Sequence, residues 1–365
     1  MNIRFGNDFA ISYLMPLIEK GSKHFINNAE TQALFLTING IKFPSGINYK
    51  EYTSSYVCSI YNALVSYGAE ESRKIGNLII EYPIRFLTAV LSSLLKLGKI
   101  NKNIFVNNYL LSTNLYPDWL GEGLGDFTKA TKIKYPNHAI IFRSLNYHTN
   151  ADQLIAFKKA GYLLVPTRQV YIFDKKLEDY ELKRDLKRDR KVRNNSKYII
   201  EEHANIFSSD FSRIVELYNK LYLKKYSKHN PQYNVNMISH WHNNNLLTFF
   251  GLRNSEGVLD GVVGIFENET TVSAPLVGYD TVLAKKLGLY RQLISLTIDY
   301  AAKKRKILNL SSGASDYKLN RGGKPFIEYA AVYTKHLPFY RRVMWEIIRI
   351  LLDRIIVQIL RKYKL

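Results

Sequence analysis

The sequence predicts an α/β protein built from two similar mixed-sheet lobes and closed by an amphipathic C-terminal helix. Three observations carry this. The 365 residues exceed one ordinary core and suit two of about 150–180 residues each. A strand, helix, strand, extended-segment pattern occurs twice, with strand-to-strand offsets of roughly 35 residues in both halves. The stretch 338–363 sets apolar residues 344, 348, 351, 352, 355 and 359 on one stripe, with Arg342, Glu346, Arg349 and Asp353 opposite.

In the first half, residues 32–40 read as a strand and Phe43-Pro44-Ser45-Gly46 as the turn after it. Residues 78–98 read as an amphipathic helix with Pro83 near its start, where proline is tolerated. A strand at 103–112, a helix at 118–134, a strand at 138–145 and a helix at 150–160 follow, and Gly161 stops the last. Residues 162–173 are extended and broken by Pro166. The charge-dense run 174–198 places a boundary near 175, giving lobes 1–175 and 176–336 and a terminal basic helix 337–365. That run reads either as a solvated helix or as a phosphate-facing one. The second half repeats the scheme: a helix at 207–226 and strands at 246–253, 258–266 and 270–278, the first two joined by Asn254-Ser255-Glu256-Gly257. A helix over 287–304, a strand at 306–311, a loop at 312–324 and a strand at 327–334 complete it.

Hydrophobic residues at 46% and charged residues at 23% exclude a disordered chain. The net charge of +21 attracts polyanions such as tRNA, phosphorylated cofactors or anionic lipid. The 27 Tyr and 18 Phe serve either a tyrosine-rich core or half-wet grooves. One cysteine, Cys58, excludes an intrachain disulfide, and no Cys/His cluster has zinc spacing, so no metal is expected. There is no cleavable signal pattern and no apolar run of about 18 residues. A cytoplasmic protein is expected. Its last helix either docks on the body or lies on the inner membrane surface; Glu346 and Asp353, repelled by anionic lipid, favour docking.

Three stretches suggest chemistry. Gly278-Tyr279-Asp280 with Lys285-Lys286-Leu287-Gly288-Leu289-Tyr290 is a strand end feeding a helix N-terminus, which favours a phosphate or an oxyanion. Leu310 to Gly323 is a small-residue loop carrying Lys318 and Arg321, cations able to close over an anion or a tetrahedral intermediate. The third is the basic helix 183–198.

In that order, together with Leu217-Tyr218, Tyr226-Ser227-Lys228-His229 and the Tyr317-Lys318…Gly322-Gly323 loop, residues 180–335 resemble the acetyltransferase-like module of Fem-type and related GNAT proteins. Phe142-Arg143-Ser144-Leu145-Asn146 and Gly161-Tyr162 resemble the partner lobe of tandem-GNAT proteins. The resemblance implies two tandem GNAT-like mixed-sheet domains and transfer of an activated acyl group to an amine acceptor. The donor would be acyl-CoA, acyl carrier protein or aminoacyl-tRNA, with no permanently bound cofactor. It implies that Lys318 lies at the donor end, stabilising the intermediate or holding donor phosphates. The CoA-dependent pattern Arg/Gln-x-x-Gly-x-Gly/Ala is altered here: Lys285 stands first and Tyr290 replaces the last small residue, crowding the backbone that a diphosphate approaches.

The remaining candidates are Asp280 as base or helix N-cap, with Tyr279 beside it, and Gly288 and Gly322 for cofactor approach. Tyr226 and His229 either pack or line an acceptor groove, and Arg143, Asn146 and Arg168 either bind an acceptor carboxylate or serve structural hydrogen bonds. Cys58 is either a nucleophile near substrate or a buried thiol. The competing reading is a non-catalytic GNAT pair that binds RNA or an anionic membrane surface.

Overall fold

The computed structural model describes residues 5–66, 70, 89–174, 179–180 and 183–356. Its strands are β1 (Gln32–Ile38), β2 (Ile41–Asn48), β3 (Asn103–Val106), β4 (Ala139–Leu145), β5 (Leu163–Phe173), β6 (Ile199–Glu201), β7 (Thr248–Arg253), β8 (Leu259–Glu267), β9 (Thr271–Tyr279), β10 (Ile307–Asn309) and β11 (Lys324–Tyr333). The helices used below are α1 (Asn7–Lys20), α2 (89–97), α3 (Leu124–Lys134), α4 (Ala151–Lys159), α5 (Arg184–Asn194), α6 (Phe211–Tyr218), α7 (Val235–Asn243), α8 (Leu289–Lys303), α9 (Ser315–Leu319) and α10 (Phe339–Leu351).

The expected repeat is present. β3, α3, β4, α4 and β5 correspond in order to β9, α8, β10, α9 and β11. In each half an antiparallel run ends in one parallel pair, β3 with β4 and β9 with β10. A helical crossover returns the chain to the same direction in both cases. The lobes are joined through their last strands. β11 lies between β4 and β5, and β5 lies between β11 and β10, so one eleven-stranded sheet runs β1-β2-β3-β4-β11-β5-β10-β9-β8-β7-β6. Each half thus donates its final strand to the other's parallel pair. β5 and β11 pair from Ile172 opposite Lys324 to Leu163 opposite Val332.

Local chemistry explains where the elements depart from expectation. The first hairpin turns at Asn39-Gly40, both left-handed (φ 48° and 77°), so Phe43-Pro44-Ser45-Gly46 is strand rather than turn. Pro44 lies beyond the end of the β3 pairing, where its missing N–H is not needed. Pro166 does not break β5: the register with β11 shifts beside it, between Glu328 and Tyr329. β3 ends at Val106, because left-handed Asn107 and Leu110 turn the chain out of the sheet. The helical reading of 78–98 holds over 89–97; residues 78–88 lie outside the described residues.

Helix α8 buries Leu293, Ile294, Ile298 and Ala301 against Val263, Val272 and Leu308. Helix α10 docks on the first half: Trp345, Ile348 and Leu352 pack with Leu95, Ile141, Val165 and Val332. Buried Arg341 fastens it, donating to the carbonyls of Gly98 (3.0 Å), Asn137 (2.6 Å), Lys99 and Lys102 (both 3.1 Å).

Candidate active site

β9 and β10 pair only where Thr271–Ser273 meet Ile307–Asn309. Beyond that point β10 stops, while β9 continues to Tyr279 along helix α6. Gly278 permits this course: a Cβ there would stand 2.6 Å from the Tyr218 nitrogen and 2.7 Å from the Leu217 carbonyl carbon. The diverging strands open a cavity of about 160 Å³. Ala274 and Val277 of β9, Tyr290 and Ile294 of α8, the 310–314 loop and Lys318 form one side. Leu221, Tyr222, Tyr226, Asn230, Arg168, Tyr56 and Ser112 form the rest.

The loop after β10 is shaped around Lys318. Ser311, Gly313 and Ala314 all have positive φ (58°, 77° and 49°); for the two non-glycines this costs on the order of 1–3 kcal/mol each. So turned, the loop presents the carbonyls of Leu310 (2.7 Å), Ser311 (3.2 Å) and Ser312 (2.8 Å) to the Lys318 Nζ. Three acceptors suit an ammonium donating three hydrogens. Burial, then the charge of Arg168, push the Lys318 pKa down to about 7. The side chain is 3% exposed and passes 5.4 Å from the Tyr171 ring centroid. Lys318 sits on the short helix α9, which the sequence reading treats as loop.

Several candidates meet here. Tyr290 lines the cavity, its ring against Tyr317 (5.0 Å) and Tyr279 (6.0 Å), and burial holds its hydroxyl proton tightly. Gly288 is the left-handed N-cap of α8 (φ 63°). Tyr226 stands at the rim, and Arg168 lies in the wall, donating to Glu328 (2.8 and 3.1 Å) and Thr113 (3.1 Å). Tyr279 is half-buried outside the cavity lining, and its hydroxyl accepts from Lys225 at 3.4 Å.

The other candidates are drawn elsewhere. Asp280 is not a base: burial raises its carboxyl, but Lys220 (2.7 Å), the Val282 N–H (3.0 Å) and Arg213 (2.9 Å) outweigh this and hold it down at about 2. Arg321 is not available to a donor, because it pairs with buried Asp189 and lies 3.4 Å over the Tyr317 ring. Lys285 is exposed in the turn before α8, and Gly322 (φ 99°) makes the turn after α9. His229 lies 3.5 Å from Glu70. Arg143 donates to the Val57 carbonyl at 3.0 Å, and Asn146, fully buried, accepts the N–H groups of His148 and Thr149 (both 3.0 Å). Cys58 is buried and its thiol is pushed up to about 12, chiefly by burial, which removes its nucleophilic form. The basic helix α5 also turns inward, Arg190 (2.6 Å) and Arg193 (2.7 Å) pairing with Asp299 of α8.

Sequence reasoning missed Tyr222, Asn230, Tyr56 and Ser112. Residues 207–226 are not one regular helix: after α6 the turns widen over Asn219–Tyr226, as they often do at functional sites. The Tyr218, Tyr222, Tyr226 spacing was the available signal. Tyr56 and Ser112 come from first-half loops, and only the tertiary fold brings them here. A second groove of about 650 Å³ lies near Trp119 and Asn150 of the first half. Among the described residues its lining carries Asp118, Asp152, Glu269 and His148 but no Lys or Arg.

No family model matches the sequence, and no curated protein matches it. Solved structures do. A conserved protein of unknown function from Bacteroides thetaiotaomicron VPI-5482 is 11% identical, with TM-score 0.50, covering 91% of this chain and 93% of that one. This is a likeness of fold. FemX (8% identity, TM-score 0.46, 61% and 79% covered) and L-PGS from Bacillus licheniformis (14%, 0.45, 68% and 82%) are also similar.

Proposed function

We propose that the chain transfers an acyl or aminoacyl group from an activated donor to an amine, with the reacting carbonyl seated between the diverging ends of β9 and β10. The observation that carries this is the buried Lys318 ammonium, fixed by three carbonyls in the wall of that cavity. When it carries its proton, which the pKa of about 7 makes pH-dependent, a cation in that low-dielectric wall favours negative charge developing on a carbonyl oxygen beside it.

The neutral amine attacks the thioester or ester carbon, and a tetrahedral intermediate forms with its charge on oxygen toward Lys318. The carbon–sulfur or carbon–oxygen bond then breaks, an amide forms, and the proton lost by nitrogen passes to the departing thiol or alcohol. Holding both reactants in an enclosed space supplies much of the rate. Tyr290, at the start of α8, fills space that a diphosphate would need. This favours aminoacyl-tRNA, acyl carrier protein or another acyl donor over acyl-CoA, and the charge of +21 suits an anionic carrier.

The test is transfer from each donor class to a panel of amines, followed by mass spectrometry. Lys318→Met, which keeps the volume and loses the charge, should lower turnover about a hundredfold or more; the three carbonyls left without a donor lower the melting temperature, so circular dichroism at the assay temperature must show that the variant is folded. Wild-type turnover in that variant refutes the assignment. A second reading, binding without turnover, draws on one observation: no Asp, Glu or His is among the described residues that line the cavity. In that case ligand binding survives in Lys318→Met and no donor yields product with either protein.

A further inference from the structure

The C-terminal helix is apolar on two sides, and the fold uses only one. Arg341, Trp345, Ile348 and Leu352 face the body. A second stripe, Tyr340, Val343, Ile347 and Ile350, recurs at helical spacing with Phe339 beside it, and all five are exposed, Phe339 at 72%. The neighbouring helix α2 continues this surface. Val90, Leu94 and Leu97 are exposed at its own helical spacing, Leu97 at 71%, and Gly98 at its end touches Met344 of α10. One amphipathic helix docked on a core needs no such second face.

The charges around the face select its occupant. Arg342 and Arg354 are exposed on the same helical segment, and Lys96 and Lys99 on α2 and the turn after it. The two acids of α10 and its continuation do not oppose them: Glu346 (2.9 Å) and Asp353 (3.5 Å) both pair with Arg349. After Asp353 the sequence carries Arg354, Arg361, Lys362 and Lys364 and no further acid. Aromatic residues at one end, aliphatic residues along the stripe and cations at the flanks match the layers of an anionic bilayer surface. Among the described residues no helix is long and apolar enough to cross a membrane, so such contact is peripheral.

We infer that α10 and α2 together dock the protein on an anionic membrane surface, their apolar stripes at the headgroup boundary. This goes beyond the transfer reaction and does not depend on it.

The test is co-sedimentation of the full chain with vesicles of phosphatidylcholine alone or with about a third phosphatidylglycerol. The wild type should pellet with the anionic vesicles, far less with neutral ones, and be released by high salt. Phe339→Ser with Ile347→Ser should abolish pelleting. Arg342→Ala with Arg354→Ala should weaken partitioning about twenty-fivefold, at roughly fivefold per cation. Both pairs are exposed, so unchanged melting curves confirm that the fold survives. Failure of the wild type to pellet with anionic vesicles overturns the inference, as does undiminished pelleting of the serine pair. A wild-type dimer that the serine pair converts to monomer, without vesicle binding, would assign the face to a second copy instead.

Discussion

Replacing Asp189 by Asn should unfasten the support beneath the cavity. The Asp189 side chain is wholly buried. Arg321 donates to it through Nε and Nη2, Tyr317 through its hydroxyl (2.8 Å) and Arg291 through Nε (2.5 Å). These bonds tie α5 to α8 and to α9, the helix that carries Lys318. The amide keeps the shape but removes the charge and replaces one acceptor oxygen with a donor. Breaking a buried ion pair costs about 3–5 kcal/mol. Arg291 is 39% exposed and can recover water, while Arg321 at 8% cannot. The lower end, about 3 kcal/mol, is therefore expected, roughly 150-fold in the folding equilibrium. Urea unfolding followed by circular dichroism reads this as a lower midpoint at unchanged slope. Asp185→Asn is the control: its carboxylate is 32% exposed and lies 3.5 Å from Arg188 and 3.9 Å from Arg321, partly exposed pairs worth at most about 1 kcal/mol each. A midpoint for Asp189→Asn no lower than for Asp185→Asn refutes the reasoning.

Three further outcomes follow from the same structure. Gly278→Ala drives a methyl into the backbone of α6, which cannot move aside as a side chain could; it should cost about 1–3 kcal/mol, read by thermal melting. Because the Asp280 carboxyl is held at about 2 in the folded chain, its stabilisation is full above the ordinary carboxylate pKa of about 4. It is lost as pH falls toward 2, so stability measured between these limits should fall less steeply in Asp280→Asn than in the wild type. The buried Cys58, its thiol near 12, should resist alkylation by iodoacetamide at about pH 8 in the native protein and react in urea; mass spectrometry distinguishes the two.

The sequence made the second half more legible than the first. Helix α8 announces itself by a long apolar stripe, and β7 to β9 by short apolar runs, the first two separated by Asn254-Ser255-Glu256-Gly257. The strand–helix–strand repeat was visible because its crossover lengths are similar. β2 was missed because Pro44 and Gly46 look like turn residues, although Asn39-Gly40 is the better hairpin signal. The exchange of β5 and β11 is a long-range pairing with no local signature. The loop's resemblance drew attention to Lys318, which lines the cavity, but not to its three carbonyl partners, which depend on left-handed Ser311 and Ala314. Arg321 and Asp280 misled for a common reason. A charged residue beside a turn looks available until its counter-ion, more than a hundred residues away for Arg321, is placed.

The measurement that bears most directly on the account is a crystal structure of the protein with a non-hydrolysable donor fragment, an aminoacyl-adenosine amide or an acyl-pantetheine whose thioester is replaced by an amide. The account predicts density between Ala274–Val277 and the 310–314 loop, with the carbonyl oxygen beside Lys318. A fragment bound in the groove near Trp119, or one whose carbonyl points away from Lys318, would contradict it.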